Sequence, residues 1–154
     1  MTVAPGRYTG RETPALERLR EVRHALGPLC GRVVFIGGAI APLLQTHPVS
    51  ERVRPTKDVD GVAVTTSYAD FDNLQTELRR LGFTHRGTAA DPIGHAYRWT
   101  TPQGGLFDLV PAGEHLGASG SKWDRLAIDR AIELNIAKDT SASLVIRHAV
   151  SPIA

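Results

Sequence analysis

The sequence predicts an α/β (α+β) fold organised as a single domain, and three observations lead there. Two stretches carry apolar residues at helical spacing: Leu16, Leu19, Val22 and Leu26 in one, and Tyr68, Phe71, Leu74, Leu78 and Leu81 in the other. Between and after them run short apolar segments of strand character, beginning with Arg32-Val33-Val34-Phe35-Ile36 and Lys57 to Thr65. Two further runs, His95 to Thr100 and Leu106 to Val110, flank Pro102-Gln103-Gly104-Gly105 in the manner of a β-hairpin. With 154 residues the chain has room for one hydrophobic core and is short for two.

Each element has a local reason. Residues 1–12 hold Gly6 and Gly10 and few apolar side chains, and read as a flexible arm. Thr13-Pro14 supplies an N-cap and a proline at the first helical position, and Gly27-Pro28 ends that helix. Arg18, Arg20 and Arg23 fall away from its apolar stripe. The β-branched run to Ile36 reads as a buried strand. After Gly37-Gly38, Ala39 to Gln45 is a short helix with Pro42 in its first turn, and His47 to Pro55 is a polar connection. Lys57 to Thr65 is the second strand. Ser67 and Asp70 open the next helix in the style of a capping box, and Gly82 closes it. Phe83 to Arg86, the hairpin, a helix around Lys122 to Ala131, and strands at Leu134 to Ala137 and Leu144 to Val150 complete the chain.

Composition excludes several classes. Apolar residues make up 42% and charged residues 22%, the balance of a soluble globular protein, and no apolar run approaches a membrane span. The N-terminal segment lacks the apolar stretch of a secretory signal. A single cysteine, Cys30, excludes an internal disulfide, reads as a small buried side chain, and favours a cytoplasmic setting. The net charge of +2 is unevenly spread: residues 1–57 carry an excess of five positive charges and residues 58–154 an excess of three negative ones. A basic third beside an acidic centre suits a site for metals and polyphosphate, while a solvated arginine face explains the same count.

The chemistry-bearing pattern is Phe35-Ile36-Gly37-Gly38-Ala39 followed by Thr56-Lys57-Asp58-Val59-Asp60. Gly37 and Gly38 lack Cβ atoms, so phosphates can approach the backbone, and the next helix would open on free amides. Asp58 and Asp60, at i and i+2 of a strand, share a face about 7 Å apart, close enough to bridge divalent cations. Asp108 is a third acid on an apolar strand, between Phe107 and Leu109. It could instead face solvent at an edge or pair with Arg98 across the hairpin. Three acids on one small sheet repel unless a cation sits among them, and a pair of magnesium or manganese ions is the natural candidate. Lys57, Arg54 or Arg98 would add positive charge beside phosphates, and the sequence does not choose between them.

Other readings fail on spacing. Asp58-Val59-Asp60-Gly61 has Val62 at the third ligand position of a calcium loop and its glycine too early. Gly37-Gly38 lacks the Gly-Lys-Ser/Thr ending of a P-loop. Six scattered histidines with one cysteine argue against a zinc site. Ser119-Gly120-Ser121 suits a helix cap better than a nucleophile.

At these residues the chain resembles the DNA polymerase β-like nucleotidyltransferase superfamily, in which a hydrophobic segment, Gly–Gly/Ser, an Asp-x-Asp and a third apolar-flanked Asp recur. The wording Gly-Gly-Ala-Ile-Ala-Pro-Leu-Leu and Arg-Pro-Thr-Lys-Asp-Val-Asp looks most like the minimal nucleotidyltransferases and the toxin-type group associated with abortive infection. The resemblance covers roughly residues 16–150 and is specific at the motifs. It implies a small mixed, palm-like β-sheet with helices packed mainly on one side, two magnesium ions, and a nucleoside triphosphate donor. Gly61 departs from it, standing where the family usually has a hydrophobic residue. The resemblance also implies a C-terminal helical part, so residues 13–154 read as a nucleotidyltransferase-fold domain lacking that part.

The expected activity is transfer of a nucleoside monophosphate from an NTP to an acceptor hydroxyl, on RNA such as tRNA, on a protein or on a small molecule, with release of pyrophosphate. Asp58, Asp60 and Asp108 would be catalytic and hold the metals; Gly37, Gly38, Lys57, Arg54 and Arg98 would face the nucleotide. The alternative is a catalytically weak partner protein of the same fold, binding nucleotide or another polypeptide in a toxin–antitoxin-type pair. In either case a second chain, a homo-oligomer or a different partner, would complete an open cleft.

Overall fold

A computed structural model of the protein describes residues 4–40, 43, 58–85, 97–112, 122–139 and 141–149. They form a mixed α/β fold: an eight-stranded mixed sheet with three α-helices. In chain order the elements are β1 (Gly6–Arg7), α1 (Pro14–Leu26), β2 (Val33–Ile36), β3 (Asp58–Val64), α2 (Tyr68–Arg80), β4 (Thr84–His85), β5 (Arg98–Thr100), β6 (Leu106–Ala112), α3 (Lys122–Asp129), β7 (Ile132–Asn135) and β8 (Val145–His148). Across the sheet the order is β1-β7-β8-β2-β3-β6-β5-β4. The pairs β1–β7, β2–β8 and β3–β6 are parallel, and the rest are antiparallel.

The alternation of side chains along the central strands divides the sheet into two unlike faces. Val33 and Phe35 of β2, Val59 and Ala63 of β3, and Phe107 and Leu109 of β6 point to one side. There they pack with Leu16, Leu19, Val22 and Leu26 of α1 and Phe71, Leu74 and Leu78 of α2. On the opposite side, among the described residues, Val34, Ile36 and Val64 pack with Ala127 and Ile128 of α3, next to Ala149. Two of the three helices therefore share a face.

The helix starts follow from their caps. The Thr13 hydroxyl accepts from the Leu16 amide at 3.2 Å, with Pro14 as the first helical residue, and Gly27 ends α1 with φ of +54°. The Ser67 hydroxyl accepts from the Asp70 amide at 3.0 Å, and the Asp70 carboxylate reaches back one residue further, to the Thr66 amide at 2.9 Å. Arg32 adds an ion pair to the same carboxylate at 2.8 Å. The hairpin closes where the turn residues indicate, with Thr101 N–H donating to the Gly105 carbonyl at 2.8 Å.

Several elements differ from the sequence expectation. A turn of 3-10 helix, Gly27–Arg32, carries the chain from α1 into β2 and buries Cys30. Within the segment read as an arm, Gly6–Arg7 pairs in parallel with β7, and Tyr8 N–H donates to the Asn135 carbonyl at 2.9 Å. Arg20 does not lie on a solvated face. It is buried: Nε donates to the Ile136 carbonyl at 2.7 Å, and the fork binds Glu12 at 2.6 and 2.8 Å and Glu17 at 2.6 Å. Arg23 reaches the Val145 carbonyl at 2.8 Å, and Arg7 the carbonyls of Ala137 and Asp139 at 3.1 and 2.8 Å. Arg7, Arg20 and Arg23 thus tie the arm and α1 to the C-terminal strand pair, a use that helical periodicity does not reveal. Of the helix expected over Ala39 to Gln45 only Ala39, Ile40 and Leu43 are described, and the connection His47 to Pro55 lies outside the described residues. No described helix is long and apolar enough to cross a membrane.

Candidate metal centre

The parallel pairing of β3 with β6 sets Asp60 directly beside Asp108 and Asp58 beside Leu106. Because side chains alternate, the apolar neighbours Val59, Phe107 and Leu109 turn into the core on the α1–α2 side. Asp58, Asp60 and Asp108 accordingly emerge on the other face, on the same side as Val34 and Ile36 and beyond the part that α3 covers. One oxygen from each carboxylate lies within 4.8 Å of the others, and all three residues are half-buried. The sheet register brings these acids together.

Gly37 follows β2 directly, and Ile36 pairs with Asp60. The glycine has φ of +81°, and a Cβ on it would stand 2.5 Å from Oδ2 of Asp60. A side chain there would occupy the carboxylate's own position. Gly38 continues the turn, half-buried.

A cation already sits among the acids. Arg98 of β5 lies opposite Asp108 in the antiparallel β5–β6 pair. Its Nε donates to Asp108 Oδ1 at 2.8 Å, and its Nη2 donates to Asp108 Oδ2 at 2.9 Å and to Asp58 Oδ2 at 2.7 Å. These carboxylates hold the guanidinium firmly protonated. Asp60 is treated differently. Burial, then the negative charges of Asp108 and Asp58, push its carboxyl up to about 6, against the partial relief of Arg98.

Among the described residues the donor set is three carboxylates, which suits a hard divalent cation such as magnesium or manganese. Exposed acids often cluster without an ion, and here Arg98 neutralises part of the charge. The residues fit the metal, with the provision that Arg98 uses three of the oxygens that the metal would use.

Of the eight residues singled out in the sequence, Asp58, Asp60, Asp108, Gly37 and Arg98 meet in this one place, and Gly38 adjoins it. Arg54 and Lys57 lie outside the described residues. The Arg98–Asp108 pairing was open to inspection from the hairpin, since counting back from the Thr101–Gly105 closure puts the two opposite. The contact between Arg98 and Asp58 was not, because it depends on the register of β3 with β6, which are separated by a long stretch of chain. The glycine at position 61 has a packing reason. It lies on the core face, where a Cβ would stand 2.8 Å from Val33 Cγ1 and 3.1 Å from the Phe107 ring. Comparison with family models, curated proteins and solved structures finds no match to this chain.

Proposed function

We propose that this protein is a cytoplasmic, metal-dependent nucleotidyltransferase that moves a nucleoside monophosphate from an NTP to an acceptor hydroxyl and releases pyrophosphate. The observation that carries the reading is the convergence of Asp58, Asp60 and Asp108 on one face of the sheet, against the Gly37 turn. Magnesium or manganese ions bound by the three acids would neutralise the phosphates and the leaving pyrophosphate. Asp60, the acid beside the Gly37 turn, would help to deprotonate an attacking hydroxyl. Gly37 and Gly38 leave the backbone bare for a phosphate, and Arg98 is the described cation beside them.

The test is incubation of the purified protein with α-labelled NTPs, magnesium or manganese, and separate pools of tRNA, protein and small-molecule acceptors. Label should move to one pool, and Asp60→Asn should abolish the transfer. A protein that binds metal and NTP yet labels nothing would overturn the enzyme reading.

One observation favours a second reading. The Arg98 fork engages both oxygens of Asp108 and one of Asp58, the arrangement of a structural ion pair. A partner protein of this fold, binding nucleotide or another polypeptide with little turnover, would keep that arrangement permanently. Such a protein would give nucleotide binding without transfer, and a complex with a second chain in light scattering.

A further inference from the structure

We infer that Arg98 is a built-in competitor for the divalent cation: its guanidinium holds the oxygens of Asp58 and Asp108 until an incoming ion displaces it. The inference rests on reading the three acids as a metal centre, and it concerns how that centre is regulated.

The geometry points this way in two steps. First, the three contacts of 2.7 to 2.9 Å between Arg98 and the carboxylates are charge-assisted, and two of them form a parallel fork on Asp108. A divalent ion needs oxygen ligands at about 2.0–2.2 Å and would bring its charge against the guanidinium, so the two cations cannot share Asp58 and Asp108 without one moving. Second, the Arg98 fork bonds Asp58 and Asp108, while Asp60, with a carboxylate oxygen within 4.8 Å of theirs, is not among its bonded partners. The cluster is thus only partly neutralised, and Asp60 keeps an affinity for a cation that the arginine does not satisfy.

The side chain is also able to leave. Arg98 stands on β5, a three-residue strand near the sheet's edge, and its side chain remains 29% exposed. Its backbone is fixed by pairing with β6, so displacement requires only rotation of a long, flexible stem into solvent. Arg98 therefore does two things. It keeps three acids assembled when no other cation is present, and it sets a threshold of cation concentration below which the acids remain in its hold.

The experiment measures binding of Mn²⁺ alone to the full chain, by calorimetry and by the loss of the free-ion paramagnetic signal, with no turnover involved. Arg98→Gln should bind Mn²⁺ at least ten-fold more tightly than the unmodified protein. Arg98→Lys, which keeps a charge but loses the fork, should fall between the two. In melting experiments Arg98→Gln should be less stable than the unmodified protein in EDTA and gain more from added Mn²⁺. If both proteins bind Mn²⁺ with equal affinity, or Arg98→Gln binds more weakly, the competition is overturned while the metal centre stands. If folded Arg98→Gln binds no Mn²⁺ at all, the metal reading itself fails and takes this inference with it. Should Arg98→Gln not fold, the comparison of Arg98→Lys with the unmodified protein decides by the same criteria.

Discussion

Gly37 and Asp60 touch so closely that residue 37 has no room for a side chain: a Cβ there would meet Oδ2 of Asp60 at 2.5 Å. The backbone adds a second constraint, since φ at Gly37 is +81°, a region that L side chains rarely adopt. The turn after β2 and the acid on β3 are therefore one unit, and the glycine is required by the carboxylate as much as by the turn.

Replacing Gly37 by alanine should accordingly cost stability and move Asp60. Backbone strain of this kind is worth about 1–3 kcal/mol. Gly104→Ala is the control, because Gly104 has φ of +93° but nothing lies within 4 Å of the place its Cβ would take. Both variants should melt at lower temperature. Only Gly37→Ala should also weaken Mn²⁺ binding, by ten-fold or more; equal Mn²⁺ affinity in the two would dissociate the turn from the acid.

Gly61 offers a prediction about the core beneath the acids. It pairs with Phe35 on one side and Leu109 on the other, and Val33 Cγ1 and the Phe107 ring, 2.8 and 3.1 Å from the place of a Cβ, fill the space a side chain would need. Gly61→Val should destabilise by about 1–3 kcal/mol through overpacking. Paired with Phe107→Leu, which frees volume at that point, the valine should recover part of the loss. Chemical denaturation of the single and double variants checks it, and strict additivity would show that the ring is not what excludes the side chain.

These two glycines show what could be read in advance and what could not. The helices over residues 14–26 and 68–80 were legible because a cap, an apolar stripe and a glycine stop agree at each. The acids were legible because Asp58, Asp60 and Asp108 lie among residues that must face the core, so alternation alone sends them to the other side. Long-range register was not legible: nothing local says that β3 runs parallel to β6 with Asp60 beside Asp108, or that β8 pairs with β2. The burial of Arg20 was missed for a related reason. Its partners are Glu12, Glu17 and the Ile136 carbonyl, the last of them far away in sequence, and an arginine among arginines looks like surface.

Arg20 is consequently a stability residue. Arg20→Met keeps the stem but leaves the Ile136 carbonyl without its donor and removes the fork from Glu12. The expected loss is about 1–3 kcal/mol, the range for removing one partner of a buried hydrogen bond. Hydrogen exchange should show the effect at residues 132–136 and 145–148 as well as in the N-terminal segment, whereas a loss confined to α1 would mean that the arginine does not tie the two ends together.

His148 and Asp60 should bend the pH dependence of stability in opposite directions. His148 is 1% exposed, its Nδ1 has no hydrogen-bond partner among the described residues, and burial holds its pKa below the ordinary histidine value. The unfolded chain then binds the proton more readily than the folded one, so this residue's contribution is lost as pH falls below about 6.5. His148→Leu should flatten that acid-side decline. If His148→Leu leaves the slope unchanged between pH 7 and 5, the histidine is not titrating as a buried neutral group.

Asp60 carries the opposite sign. Its carboxyl is pushed up to about 6 from an ordinary value near 4, so between those limits the folded state holds the proton more tightly than the unfolded state. Stability from this group is therefore present at low pH and lost as pH rises through about 6. In metal-free buffer at pH 7.5, Asp60→Asn should be more stable than the unmodified protein by about 1–3 kcal/mol, the linkage value reduced for a half-buried group. At about pH 3 the two should be nearly equal, because the aspartate is then largely protonated and neutral, like the asparagine, in the folded and the unfolded state alike. Added Mg²⁺ or Mn²⁺ should reverse the order at pH 7.5, stabilising the unmodified protein and not the variant, since only the carboxylate gains a ligand by mass action. Urea titrations at both pH values, with EDTA or with metal, measure all four quantities. An Asp60→Asn variant that is less stable than the unmodified protein in EDTA at pH 7.5 would mean that Arg98 already neutralises the whole cluster, and that Asp60 carries no unsatisfied charge for a cation to relieve.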